Sequence, residues 1–331
     1  MNQSGISIGV VIHTPLLTQI FSKEDIERLR SLTHVVFTNS DVPISVSEAS
    51  QLLENCEIGI GSWRTPFPDS ELLAACPRLR LWEHAAGSVK HFFGPHLAGA
   101  NLVIASCKTA IADDVAEMTL GEIILGLRQV VTNGAANRAG IAPKPARISV
   151  LPYATVGIIG ASEVGKRVAK RLAGTGCKIL FYDPLISEQI ARDHGGRLCP
   201  SLTELCAQCD AVTLHTPNIP ACRKMLGKEQ FAAMKDDAVF INTARGDCID
   251  EEALVSELSK GRLFAFLDVS SPEPAPVDSP LRRLPNVLYT SHIAGAPSFN
   301  IGRQAVDDVA AFIHGGSPMC VVTDDQLETT A

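Results

Sequence analysis

Twice along this chain, short apolar runs alternate with segments of helical spacing, and that alternation restricts the fold more than any other feature. In the first series "ISIGVVI" (6–12), "HVVFTN", "EIGIGS", "RLRLWEH" and "LVIAS" read as strands. Between them lie the amphipathic "SKEDIERLRSL" (22–32, with Ser22 as its N-cap), "SEASQLLENC" and "DSELLAAC". A second series opens at Thr155, where "TVGIIG", "KILFYD", "AVTLHT", "AVFINT", "LFAFLDV" and "VLYTSHI" alternate with helices near 163–174, 201–208, 228–234 and 250–260. Repeated βα units of this kind close into parallel sheets with helices on both faces. Between the two series, "IADDVAEMTLGEIILGLRQV" (111–130) has the spacing of a long buried helix, and the Gly-, Ala- and Pro-rich "TNGAANRAGIAPKPARISVLPYA" reads as a loop or arm. An amphipathic helix over 299–314 precedes a polar tail. The expected class is α/β, with two doubly wound parallel-sheet domains.

Composition narrows the function. The 331 residues carry a net charge of −7 and no Lys/Arg-rich run, which argues against a nucleic-acid groove or an anionic membrane surface as partner. No stretch reaches the roughly 18 apolar residues of a membrane span. The N-terminal "MNQSGISIGVVIHTP" lacks the basic region of a secretory signal. The expectation is a soluble, cytoplasmic protein whose 10 cysteines stay reduced. Cys199, Cys206 and Cys209 include a C-x-x-C, but Leu202, Leu205, Cys206 and Cys209 repeat at helical spacing, and no second pair completes a tetrahedral set. They read as small apolar core residues, and no metal is expected.

The stretch "TVGIIGASEVGKRVAKRL" (155–172) is a strand, a tight turn and a helix start. Gly160 ends the strand and Gly165 lets the helix approach the sheet, while the amides of Glu163 and Val164 open a helix N-terminus suited to a pyrophosphate. The middle glycine of the usual G-x-G-x-x-G is replaced by Ser162. By itself this turn fits either a dinucleotide site or a related fold without ligand. Asp183, about 20 residues further at the end of the next apolar strand, favours the first: its carboxylate suits the ribose hydroxyls of NAD and repels the 2′-phosphate of NADP.

Residues 238–297 carry "INTARG", "LDV", "SPEP", "DSPLRRLPNV" and "SHIAG" in order, and with "LHTPNIP", "PRLRLWEHAAGSV" and "VAEMTLGEIILGLR" the chain resembles the D-isomer-specific 2-hydroxyacid dehydrogenases over nearly its whole length. The resemblance implies a Rossmann NAD-binding domain (107–298) inserted in a flavodoxin-like substrate domain (1–106 and 299–331), closing on a 2-hydroxy or 2-keto acid, and a homodimer built through the helix at 111–130. It implies that Arg245 binds the substrate carboxylate with its fork of donors, that His292 is the acid/base, and that Glu273 orients its imidazole. It places NAD against Gly160, Ser162, Glu163, Val164, Gly165, Asp183, Thr216, Pro217, Cys222, Thr243, Ala244, Arg245, Asp268, His292 and Gly295, with Asp268 on the nicotinamide carboxamide. Ala86, Gly87 and Ser88, with Arg245 and His292, are the implied substrate contacts. Trp63 and His84 are candidates for the side-chain pocket, and His215 is read as structural. The chain departs from the family pattern at Ser162, at Cys222 where many relatives have threonine, and in an arm without tryptophan. Two alternatives share the fold: an NAD(H)-sensing corepressor-like protein, and a formate- or phosphite-type dehydrogenase. Glu273 speaks against formate chemistry, where relatives have glutamine.

Overall fold

The computed structural model describes residues 5–97, 100–142 and 148–323. In chain order the first elements are β1 (Ser7–Val10), α1 (Thr14–Ile20), α2 (Lys23–Leu32), β2 (His34–Phe37), α3 (Val46–Leu53), β3 (Ile58–Gly61), α4 (Ser70–Ala75), β4 (Leu81–His84) and β5 (Val103–Ser106). Next come α5 (Lys108–Leu127), α6 (Val130–Arg138), β6 (Thr155–Ile159), α7 (Glu163–Leu172), β7 (Lys178–Tyr182), α8 (Glu188–Asp193), β8 (Arg197–Leu198), α9 (Leu202–Gln208) and β9 (Ala211–Leu214). The last are α10 (Lys228–Ala233), β10 (Val239–Asn242), α11 (Glu251–Ser259), β11 (Phe264–Leu267), β12 (Val287–Tyr289) and α12 (Phe299–Ile313). The described residues up to Ile111 and from Ala296 onward form one compact unit, and Ala112–Gly295 form another.

In the first unit the strands pair in parallel in the order β2-β1-β3-β4-β5, the flavodoxin-like arrangement. Ser22 and Ser45 each start a helix with a capping box: Asp25 N–H donates to Ser22 Oγ while Ser22 N–H donates to the Asp25 carboxylate, and Glu48 repeats the pattern at α3. The C-terminal helix α12 belongs to this unit because its apolar stripe, Ile301, Ala305, Val306, Val309 and Ile313, is buried with Ile8, Leu16 and Ile20. Each buried Ile, Val or Leu side chain among these contributes about 1.5–3 kcal/mol. Gly302 allows the crossing, since a Cβ there would overlap the Ile20 carbonyl.

In the second unit seven parallel strands run β12-β11-β10-β9-β6-β7-β8. The order reverses direction between β6 and β9, so the carboxyl ends of those strands open the crevice in which a doubly wound sheet takes its ligand. Strands β9 and β10 are buried along their whole length, as a sheet covered on both faces requires. Cys199, Cys206 and Cys209 sit in the core with Leu205, Val212 and Phe240, and burial pushes the Cys206 thiol up to about 12.

The structure corrects the reading of 132–154 as loop: Val130–Arg138 is the helix α6, while 143–147 lie outside the described residues. Alanine and the Asn137–Asn133 side-chain bond support a helix that Gly134 and the asparagines disguised as a turn. Helices α1 and α8 and the short β8 were not foreseen either.

Candidate active site

The turn between β6 and α7 is fixed by its two glycines. Gly160 has φ +89°, and a Cβ on it would meet the His215 carbonyl oxygen at 2.7 Å. A Cβ on Gly165 would overlap the Gly160 carbonyl, so only glycine lets α7 start so close to the strand. Ser162 caps α7: its Oγ accepts from Gly165 N–H at 3.4 Å, which leaves the hydroxyl hydrogen available to donate. The amides of the first turn, Glu163 and Val164 among them, have no carbonyl of their own helix to bind. Across the turn Asp183, at the end of β7, accepts from Ala161 N–H with Oδ2 and from Leu185 N–H with Oδ1, both at 2.8 Å. The carboxylate is thereby held beside the helix N-terminus. These residues fit a dinucleotide: a turn tightened by two glycines, a positive helix end and an anchored carboxylate stand together.

The residues that could carry chemistry follow β10, β11 and β12, three adjacent strands. At the end of β10, Asn242 is fully buried and ties the Arg245 turn: its Nδ2 donates to the Arg245 carbonyl and its Oδ1 accepts from Ala244 N–H. The half-buried Arg245 donates from Nη1 to the Ala244 carbonyl at 2.7 Å. Thr243 Oγ1 lies 3.2 Å from Thr119 Oγ1 of α5. A Cβ on Gly246 would overlap the Ser270 backbone, so the Arg245 loop rests on the loop that carries Glu273.

After β11, Asp268 is 1% exposed and its carboxylate accepts from Thr290 Oγ1, Ile293 N–H and Ala294 N–H at 2.6–2.8 Å. It thus holds the segment that bears His292, whose own N–H donates to the Asp268 carbonyl and whose φ is +56°. A left-handed histidine is uncommon, and this one persists because the surrounding bonds over-determine it. His292 Nδ1 lies 2.6 Å from Glu273 Oε1. A carboxylate only accepts, so Nδ1 carries the hydrogen of this bond and Nε2 remains for a substrate. Tyr289 steadies the Glu273 loop: its hydroxyl accepts from Ala275 N–H and bonds Ser270 Oγ, each at 3.0 Å, and Arg282 lies over its ring.

Thr216, Pro217, the half-buried Cys222 and Gly295 lie on the loops after β9 and β12. His215 is buried, its Nε2 lies 2.9 Å from Thr213 Oγ1, and burial lowers it to about 3, so it is neutral and packed. In the other unit Ala86, Gly87 and Ser88 follow β4. Ala86 N–H donates to the His84 carbonyl at 2.6 Å, so its amide is already engaged within the turn. His84 is buried edge-on to Phe92 at 4.8 Å and is lowered to about 3 by burial, and Trp63 packs against the core of the same unit.

Sequence reasoning missed Asn242, Thr290, Tyr289 and, on α5, Glu122. A polar residue closing an apolar strand was the available signal for Asn242, and a lone carboxyl on an apolar helix stripe was the signal for Glu122.

Comparison with known proteins gives this geometry its family. Residues 120–294 match the model of the D-isomer specific 2-hydroxyacid dehydrogenase NAD binding domain. The chain is 31% identical over 300 residues to the glyoxylate/hydroxypyruvate reductase B of Escherichia fergusonii, covering 88% of this chain and 91% of that one. It is 36% identical over 193 residues to the D-3-phosphoglycerate dehydrogenase of Methanocaldococcus jannaschii, a match spanning 58% of this chain but 37% of the longer relative. Its fold is that of the NAD-complexed D-isomer specific 2-hydroxyacid dehydrogenase of Lactobacillus delbrueckii, with a TM-score of 0.80 at 22% identity over 96% of this chain and all of the other. The chain belongs to the D-isomer-specific 2-hydroxyacid dehydrogenase family and carries its NAD-binding domain.

Proposed function

We propose that the protein interconverts a D-2-hydroxy acid and its 2-keto acid with NAD, and that the His292–Glu273 contact at 2.6 Å, beside Arg245 on neighbouring strand ends, carries that chemistry. Bound NAD supplies the hydride acceptor or, when reduced, the donor. Arg245 binds the substrate carboxylate and polarises the adjacent ketone. His292 Nε2 gives a proton to the developing alkoxide, or takes it in the reverse direction, while Glu273 holds the ring and compensates the charge it gains. The division into domains proposed is substrate domain 1–106 and 299–331, nucleotide domain 107–298.

The protein is further proposed to work as a cytoplasmic homodimer. Its described cysteines are all free, as a reducing compartment favours. Ile124, Leu125, Val130, Ile141 and Ile148 leave an apolar surface around α5 and α6 that suits a second copy. No helix among the described residues is long and apolar enough to cross a membrane.

The test is NADH consumption with 2-keto acids graded by size and charge. Glyoxylate and hydroxypyruvate come first, since the Escherichia fergusonii relative is named for both. Turnover with any of them, lost in Arg245→Ala, supports the reading. NAD binding without turnover across the whole panel, with formate and phosphite included as donors, overturns it. The same assay with NADPH examines Asp183: the wild type should prefer NADH, and Asp183→Ala should narrow that preference about tenfold or more by removing the charge facing a 2′-phosphate. An unchanged ratio would show that Asp183 only braces Ala161 and Leu185.

A further inference from the structure

Helix α5 lays one stripe over the second sheet. Gly126 sits against Val239 and Phe266, Thr119 meets Thr243 at the carboxyl end of β10, and Glu122 lies between them. Glu122 is 5% exposed, its Oε2 is sealed from solvent without a hydrogen-bond partner, and the charged group facing it is Asp268 from the end of β11. Arg245, Glu273 and His292 stand on the loops after β10, β11 and β12. Two buried carboxyls that face each other do not both ionise at low cost. The asymmetry between them decides which keeps the proton. Asp268 accepts three hydrogen bonds that stabilise its charge, and Glu122 accepts none at Oε2.

We propose that Glu122 is a proton-carrying positioning residue that makes the choice between oxidised and reduced nicotinamide depend on pH. The inference rests on the reading that Asp268 lies at the nicotinamide end of the site. With its proton, Glu122 leaves Asp268 as the one charged member of this buried pair. When Glu122 releases that proton, the pair carries a second negative charge, which would favour the positively charged ring of NAD over the neutral ring of NADH bound at that end of the site. Burial first, and then the Asp268 charge, push its carboxyl up to about 8, so release falls in the range in which hydroxy-acid oxidation would be measured. The sign follows: NAD binds more tightly as pH rises through that value, NADH hardly changes, and NAD binding near pH 8 expels protons.

Calorimetry of NAD and NADH binding in buffers of different ionisation enthalpy reads this without turnover. A His292→Asn background removes the imidazole as a proton source. There the chain should release a substantial fraction of one proton with NAD and less with NADH. The ratio of the two dissociation constants should shift about three- to tenfold between pH 6.5 and 9. Adding Glu122→Gln, which mimics the protonated side chain, should abolish both effects. Equal proton release with and without Glu122→Gln overturns the proposal. If neither cofactor binds either protein, the NAD reading itself falls, a distinguishable result. Thermal unfolding of the unliganded chain is a second check. A carboxyl raised in the folded state is bound to its proton more tightly there than in the unfolded chain, so its contribution to stability is lost as pH rises from about 4.5 to about 8. Glu122→Gln should therefore gain on the wild type in Tm between pH 6 and 9, and a constant difference would show that the carboxyl does not hold a proton.

Discussion

His292→Ala is expected to lower kcat/KM for keto-acid reduction by about 10²–10⁴-fold, the range in which removal of a general acid falls. The loss should appear mainly in kcat, with a much smaller change in the KM for NADH, because His292 is only one of the many residues set against the cofactor and the turn at Gly160 and the carboxylate of Asp183 are untouched. Glu273→Gln should cost less, about 10–100-fold. Glutamine can still accept from Nδ1 across the 2.6 Å contact, but it offers no charge to balance the proton that His292 carries. Since Glu273 acts through His292, the two losses should not multiply: in the double variant Glu273→Gln should add almost nothing to His292→Ala. Steady-state kinetics of the three variants decides it. Losses that multiply would show that Glu273 meets the substrate independently, and the pairing would be wrong. Tyr289 bears on the same point, because its hydroxyl bonds fix the Glu273 loop from Ser270 to Ala275.

What could be read from the sequence was what local spacing encodes. Gly160, Gly165 and Asp183 lie within one βαβ unit, so their roles in the turn follow from a strand ending and a helix beginning. Arg245, Glu273 and His292 were legible only through the resemblance of "TARG", "SPEP" and "SHIAG" to family motifs, each of which follows a strand of one parallel sheet. The Ser162 question also had a local answer, since a serine before a helix is first of all a cap. Residues whose work is done across the sheet stayed hidden. Asn242 looks like the polar end of a strand until its side chain is seen closing the Arg245 turn. Asp268 was named only for the nicotinamide carboxamide; its bonds to amides on another strand's loop were not foreseen, because no periodicity connects the two. Glu122 falls inside an apolar helical pattern, where one carboxyl does not disturb the reading, and only the strand ends beneath it show what it faces. Helix α6 was hidden for the opposite reason: Gly134 and two asparagines carry turn propensity, and the rest of the segment overrides it.

Asp268→Ala should unfold the second unit at markedly lower temperature and remove NAD binding together. The resemblance assigns this residue to the nicotinamide carboxamide, and a residue serving only a ligand would leave the unliganded chain untouched by its loss. The structure assigns it more. Its carboxylate is the acceptor for the amides of Ile293 and Ala294 and for the Thr290 hydroxyl, and Ala294 is buried. Removing the acceptor leaves the buried Ala294 N–H without a partner, at a cost of about 1–3 kcal/mol, and strips the part-buried Ile293 N–H and Thr290 hydroxyl of theirs at a smaller cost. It also frees the segment that keeps His292 in its left-handed conformation. Asp268→Asn should fall between alanine and wild type. Its one carbonyl oxygen can serve the Thr290–Ile293 side or the Ala294 side, and the amide hydrogens then oppose the donor left over. Thermal unfolding without cofactor and NADH fluorescence titration separate the two roles. A Tm unchanged in Asp268→Ala, with NADH affinity alone reduced, would mean that the three hydrogen bonds contribute nothing to holding the 290–294 segment. A lowered Tm in Asp268→Ala with an intermediate value in Asp268→Asn would make Asp268 the common support of the acid/base loop and the nicotinamide end. In that case the charge Glu122 faces is the same charge that positions His292, so the ionisation of one buried carboxyl bears on both.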